Sequence, residues 1–142
     1  MPKSVFFHKN SLQTLAEDIF LLLFGGVIYY GIEVLFRGYS HWSMAIMGGL
    51  CFWGIFLINR RLSPLPTVAK ALMGACLITT LEFSVGCILN LWMGMKIWDY
   101  SSMPLQLLGQ ICLPFSVVWF LLCFPALFFC RLIEKKVFLS DA

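Results

Sequence analysis

Three carboxylates and one guanidinium sit where a mostly apolar chain has no ordinary use for charge. Glu33 and Glu82 each interrupt a long apolar run, Arg37 follows Glu33 at i+4, and Asp99 stands in the block Trp98-Asp99-Tyr100-Ser101. A charged side chain at the centre of a membrane helix costs roughly 2.5–3.5 kcal/mol on insertion scales, so such a residue is kept for function or for a specific pairing. A carboxylate in that setting can relay protons, bind a polar group, or act as a general acid or base. His41, Trp42, Asn90, Trp98 and Gln110 add polar or aromatic groups near the same charges.

Spacing links these residues to one another. Glu33 lies 14 residues after Ile19 and Glu82 lies 14 residues after Val68, each counted from the start of its apolar run. Each carboxylate therefore sits about 21 Å into a hydrocarbon core about 30 Å thick. Ala75, Thr79, Glu82, Gly86 and Asn90 recur at steps of 4, 3, 4 and 4, a small and polar stripe of the kind that packs inward in membrane bundles. Gly26, Tyr29 or Tyr30, Glu33 and Arg37 make a similar stripe, and Glu33 and Arg37 can pair directly. Gln106 and Gln110 are expected on one face of the last helix. The polar groups thus converge on one end of a bundle.

Two arrangements fit this convergence. In one, Glu33–Arg37 is a buried pair, Glu82 bonds to Tyr, Thr or Asn neighbours, and the cluster only fixes helix register. In the other, Glu33, Arg37, His41, Trp42, Glu82, Asn90, Trp98, Asp99 and Gln110 line a polar cavity in the outer half of the bundle. The second arrangement implies that Glu33 and Glu82 face each other with Arg37 as shared counter-charge. It also implies that Asp99 folds back over the mouth near Arg37. Tyr39, Trp42, Trp98 and Tyr100 also suit an interfacial anchoring role.

The elements that must position these residues follow from composition. The chain has 142 residues, 61% hydrophobic and 12% charged, against about 25% charged in soluble domains. So much apolar surface cannot be hidden from water in so small a domain, whereas lipid solvates it. Four apolar runs, about 17–36, 43–59, 68–92 and 107–131, predict a single membrane domain, an all-α bundle of four transmembrane helices. Thr14 to Glu17 fits a capping box for the first helix, with Ser11 as an alternative cap. Pro114 and Pro125 are candidate kink points in the fourth.

Basic residues set the orientation. Lys3, Lys9, Arg60, Arg61, Lys70, Arg131, Lys135 and Lys136 fall on one side of such a bundle, and only Arg37 and Lys96 on the other. The positive-inside rule places both termini in the cytoplasm of a multi-pass plasma-membrane protein. Basic residues at the ends of apolar runs are an orientation signal and not a phosphate-binding face, so the expected partner is the lipid bilayer and no nucleic acid.

Cys51, Cys76, Cys87, Cys112, Cys123 and Cys130 all lie in apolar stretches with no Cys-x-x-Cys pair. They read as small buried hydrophobes, with a Cys87–Cys112 bridge left open. No Gly-x-x-x-x-Gly-Lys phosphate loop, His-Glu-x-x-His pair or serine-hydrolase elbow occurs. His8 and His41 are the only histidines, and neither a metal nor a cofactor is expected.

Several segments together resemble a known family. They are Gly31-Ile32-Glu33, Arg37-Gly38-Tyr39-Ser40-His41-Trp42, Gly48-Gly49-Leu50-Cys51-Phe52, Leu81-Glu82-Phe83, Trp98-Asp99-Tyr100-Ser101 and Leu108 through Ser116. They look like the bacterial CmpB-like family, labelled "putative ABC-transporter type IV", over about Gly31 to Trp119, and the Trp-Asp-Tyr-Ser block is the most specific part. The resemblance implies a membrane component of a transport or export system for a small or lipidic solute. Four helices make a small permease, so a homo-oligomer or a membrane partner would go with it. An intramembrane enzyme on a lipid-linked substrate, with Glu33, Glu82 or Asp99 as acid or base, is the second function class. A regulatory or assembly protein with a purely structural polar core is the third.

Overall fold

The structure is a computed structural model and describes residues 10–139. Lys3, Lys9 and His8 lie outside the described residues. Helix α1 spans Ser11–Arg37, α2 Trp42–Arg61, α3 Thr67–Gly86 and α4 Leu113–Ile133. A π-helical turn, Cys87–Trp92, prolongs α3, and another, Glu134–Phe138, prolongs α4. All four helices are long and apolar enough to cross a membrane. This is an all-α, multi-pass membrane protein.

The start of α1 differs from the sequence expectation. The cap is Asn10, whose side chain accepts from the Gln13 amide at 2.8 Å while the Gln13 side chain accepts from the Asn10 amide at 3.2 Å. The reciprocal box therefore closes a full turn before Thr14–Glu17, which leaves Thr14 inside the helix. The start of α4 also differs: it begins at Leu113 and not at Leu107. Leu105, Leu108 and Gly109 have φ of 52°, 53° and 71°, which no right-handed helix admits. Residues 106 to 112 form a small hairpin instead, with strand β1 (Gln106–Leu107) antiparallel to β2 (Ile111–Cys112). Gln106 and Gln110 consequently share no helix face. Pro114 falls in the first turn of α4, where its missing N–H costs nothing and no kink results, whereas Pro125 lies within the helix.

Helix α2 is the centre of the bundle. Half of its apolar window (50%) is buried, against 17% for α1, 22% for α3 and 17% for α4. It packs closely on α1 and also touches α3 and α4, while α3 packs on α4. The α1–α2 seam is tight because glycines face it. A Cβ at Gly26 would lie 2.6 Å from the Ala45 carbonyl oxygen, and one at Gly49 would run into the Leu22 carbonyl oxygen. Small residues let membrane helices approach in this way, and dispersion then holds them where lipid gives no hydrophobic drive.

The start of α1 and the end of α4 share one end of the bundle, the terminal end. There Arg60 on α2 reaches Glu17 on α1 at 3.4 Å and Glu134 after α4 at 2.8 Å. Leu21, Phe56, Leu127, Cys130 and Ile133 form the core just inside this end. Among the described residues, Arg60, Arg61, Lys70, Arg131, Lys135 and Lys136 lie at the terminal end and Arg37 and Lys96 at the other. All six cysteines are free, so Cys87 and Cys112 are not bridged.

Candidate functional site

The last turns of α1 build the first half of the site. Glu33 is buried, at 9% exposure, because it faces the bundle on the stripe begun by Gly26. Its Oε1 accepts from Arg37 Nη1 at 3.2 Å and lies 3.5 Å from the Tyr29 hydroxyl, one turn on either side. Gly38 ends the helix in the left-handed region at φ 79°, and this reversal lets Ser40 donate to Glu33 Oε2 at 2.8 Å. His41 then caps α2, its Nδ1 accepting from the Ser43 amide at 3.2 Å. Trp42 is exposed, with its ring 5.2 Å from that of His41. Among the described residues, neither His41 nor Trp42 makes a hydrogen bond to a carboxylate.

Helix α3 supplies the second half. Ala75, Glu82, Gly86 and Asn90 of the predicted stripe are all buried, and Thr79 bonds to Ser116 of α4 at 3.0 Å. Glu82 is only 2% exposed. Its Oε1 accepts from the Tyr100 hydroxyl at 2.8 Å and its Oε2 from Trp119 Nε1 at 3.1 Å. Among the described residues no cation pairs with Glu82, since the ion pairs are those of Arg37 with Glu33 and of Arg60 with Glu17 and Glu134.

Between the two halves runs a strap, residues 97–100, anchored from three sides. The π-helical turn after α3 aims Asn90 at it, and Asn90 Oδ1 accepts from the Ile97 amide at 2.7 Å. The Ile97 carbonyl accepts from Arg37 Nη2 at 2.9 Å. Gln110 completes the clamp: its Oε1 accepts from Asn90 Nδ2 at 2.8 Å and its carbonyl accepts from Trp98 Nε1 at 3.0 Å. Trp98 is buried at 7% exposure because Gly86 has no side chain to obstruct it: a Cβ there would lie 2.9 Å from the indole and 2.6 Å from the Gln110 amide oxygen. Tyr100 stacks on Phe115 with centroids 4.9 Å apart. Burial first, then the adjacent Glu82 carboxylate, push the Tyr100 phenol well above its ordinary range, so it stays a neutral donor.

Two sequence expectations about this geometry are corrected. Arg37 is not shared by the two acids. It holds Glu33 and directs its other bonds to the Ile97 carbonyl and to the Tyr39 hydroxyl, the latter at 3.2 Å. Asp99 does not close the mouth. It is fully exposed and accepts from the Ser101 amide at 2.8 Å, a bond that holds its carboxyl below the usual aspartate range. Side chains alternate along an extended strap, so folding Trp98 and Tyr100 inward turns Asp99 out.

Tyr29, Ser40, Tyr100 and Trp119 make the decisive bonds to the acids; the sequence offered a tyrosine as one of several partners for Glu82 without saying which, and did not assign Tyr29, Ser40 or Trp119. For Trp119 a signal existed: the indole lies about 9 Å inside its helix, away from the interface where tryptophans usually sit, and a buried indole needs an acceptor. Tyr29 links the two halves: its hydroxyl lies 3.5 Å from Glu33, and its ring packs on that of Trp119, the partner of Glu82, with centroids 6.1 Å apart. Beneath these rings a cavity of about 240 Å³ opens between α1, α2 and α4. It is apolar, and each carboxylate is closed in by protein donors instead of facing open polar space. Among the described residues no three His, Cys, Asp or Glu side chains gather to hold a metal ion.

Comparison with known proteins adds one finding. A family model described as "Putative ABC-transporter type IV" matches residues 20–140. The chain belongs to this family. The match takes in nearly all of the membrane region, so both carboxylates, the strap and Trp119 lie within the family's extent. This member of the type IV family has no match among curated proteins or among solved structures.

Proposed function

We propose that the chain is the membrane component of a transport or export system for a lipidic solute, seated in the plasma membrane with both termini in the cytoplasm. The observation that carries this reading is Glu82. It is a carboxylate buried inside a membrane-spanning helix, beneath a tyrosine delivered by a loop, and among the described residues no cation pairs with it. A purely structural polar core has no need of it, because well-packed apolar residues replace buried charges at little or no loss of stability. A loop clamped by side chains of α1, α3 and the hairpin suits a gate, since releasing a few hydrogen bonds would free it. The family name supports transport, and the basic residues at the terminal end support the orientation. The sequence holds no phosphate-binding Gly-x-x-x-x-Gly-Lys loop, so a separate ATP-hydrolysing subunit would supply the energy. Four helices per chain then call for a second copy or another membrane partner to complete the path.

The test is complementation of a host lacking the chain, read by lipid analysis of the two membrane leaflets. The wild-type chain should restore the distribution of a lipid between leaflets, and Glu82→Gln, at equal membrane abundance, should not. Full restoration by Glu82→Gln would return the polar core to a structural role. A change in the covalent composition of a lipid, with distribution unaltered, would point to an enzyme instead.

A further inference from the structure

The apolar cavity lies at an unpacked seam. Helices α1 and α4 have little direct backbone contact and are bridged by ring pairs such as Phe24–Phe129, with centroids 6.5 Å apart. Ile28 and Ile32 of α1 and Leu122 and Phe129 of α4 line the cavity and are 49%, 38%, 42% and 46% exposed. All four lie within membrane-spanning helices, so the medium at this opening is lipid hydrocarbon and not water. The floor is buried: Cys51 is 9% exposed and Cys123 only 1%. From Phe24 to Ile32 the groove runs about 12 Å along α1.

We infer that this groove holds one hydrocarbon chain of a membrane amphiphile, which enters sideways from the bilayer between α1 and α4. The lining offers nothing to a polar solute. Its Tyr29 hydroxyl and Trp119 indole N–H are both directed at carboxylates, Glu33 and Glu82. The size also selects the occupant. A helix of a second copy, about 10 Å across with its side chains, would rest on the exposed rim and leave the floor at Cys51 and Cys123 unfilled. An apolar cavity of about 150 Å³ already takes a benzene ring, so a slender chain has room. Tyr29 and Trp119 line the groove and also hold the two acids. A chain seated along them, with its polar end at the Ile32 end of the groove, brings that end toward Glu33 and the strap. This assignment rests on the transport reading and names its solute class: a single-chain segment of a lipid, recognised by its tail.

The experiment uses the full chain in phosphatidylcholine vesicles doped with a phospholipid carrying a photoactivatable diazirine in its acyl chain, with adducts mapped by peptide mass spectrometry. Wild-type protein should carry adducts on the buried floor at Cys51 and Cys123. Ile28→Trp with Leu122→Trp, which block the mouth from exposed positions, should reduce floor labelling several-fold. Labelling of Leu35 and Val117, outside the groove, should stay constant. Ala126→Phe fills the groove from within and should give the same loss if the mouth variant folds poorly. Adducts confined to outward-facing residues, or floor adducts indifferent to both variants, would overturn the assignment. Absent floor labelling with Glu82→Gln still inactive would remove the groove and leave the transport reading standing. Floor labelling with Glu82→Gln fully active would remove transport and leave a structural lipid site.

Discussion

Gly49→Ile should strongly destabilise the bundle, and adding Gly26→Ile should abolish it. At both positions a new side chain points into the backbone of the neighbouring helix, at the Leu22 carbonyl for Gly49 and the Ala45 carbonyl for Gly26. A side-chain obstacle can rotate away, but a main-chain carbonyl moves only if the helix moves. Overpacking ordinarily costs about 1–3 kcal/mol, and prying α1 from α2 also forfeits the dispersion contacts along the closest seam in the molecule. A loss of about 3 kcal/mol corresponds to a fall in Tm of about 10 °C. Gly31→Ile is the matched control, because nothing lies within 4 Å of a Cβ built there. Thermal unfolding in detergent should separate the two substitutions clearly. Equal Tm values for Gly49→Ile and Gly31→Ile would refute the packing described for α1 and α2.

The second large effect concerns the donors around Glu82. Tyr100→Phe and Trp119→Phe each remove one hydrogen bond to a buried carboxyl group, a loss of about 1–3 kcal/mol for a buried polar atom left unsatisfied. Together they leave both carboxyl oxygens without a protein donor, and the double variant should lose about 2–6 kcal/mol. The informative variant is the triple one. Adding Glu82→Leu removes the stranded acid, and replacing every partner of a polar group by apolar ones is nearly neutral. The triple variant should therefore be more stable than the double. A triple variant no better than the double would mean that Tyr100 and Trp119 do not serve Glu82.

The sequence disclosed whatever depends on neighbours along the chain. Four apolar runs became four helices, and the Ala75-to-Asn90 stripe was read from helical spacing because side chains three and four apart share a face. The i+4 pairing of Glu33 and Arg37 was legible for the same reason. The path of the 93–112 loop was not. Leu107 and Leu108 look like the continuation of an apolar helix, and nothing in a leucine announces a φ of 53°. The second use of Arg37 depends on a contact with Ile97, 60 residues away, and the bond from Tyr100 to Glu82 spans 18 residues. Such contacts depend on how the bundle closes, and composition does not encode them. Matched depth suggested one level for Glu33 and Glu82 but could not choose between a shared Arg37 and a tyrosine as the partner of Glu82.

The 97–100 strap closes Glu82 off from the side opposite the start of α1 and the end of α4, and carbodiimide labelling in sealed vesicles tests that closure most directly. A water-soluble carbodiimide and an amine are added from one side at a time, and the Glu82 amide is quantified by mass spectrometry. Wild-type protein should label weakly from either side. Asn90→Ala with Trp98→Ala, which removes two anchors of the strap, should raise labelling several-fold, and only when the reagents face the side that carries Lys96. Strong labelling of the wild-type protein, no increase in the variant, or an increase seen only from the side that carries Arg60 would contradict a strap that seals Glu82.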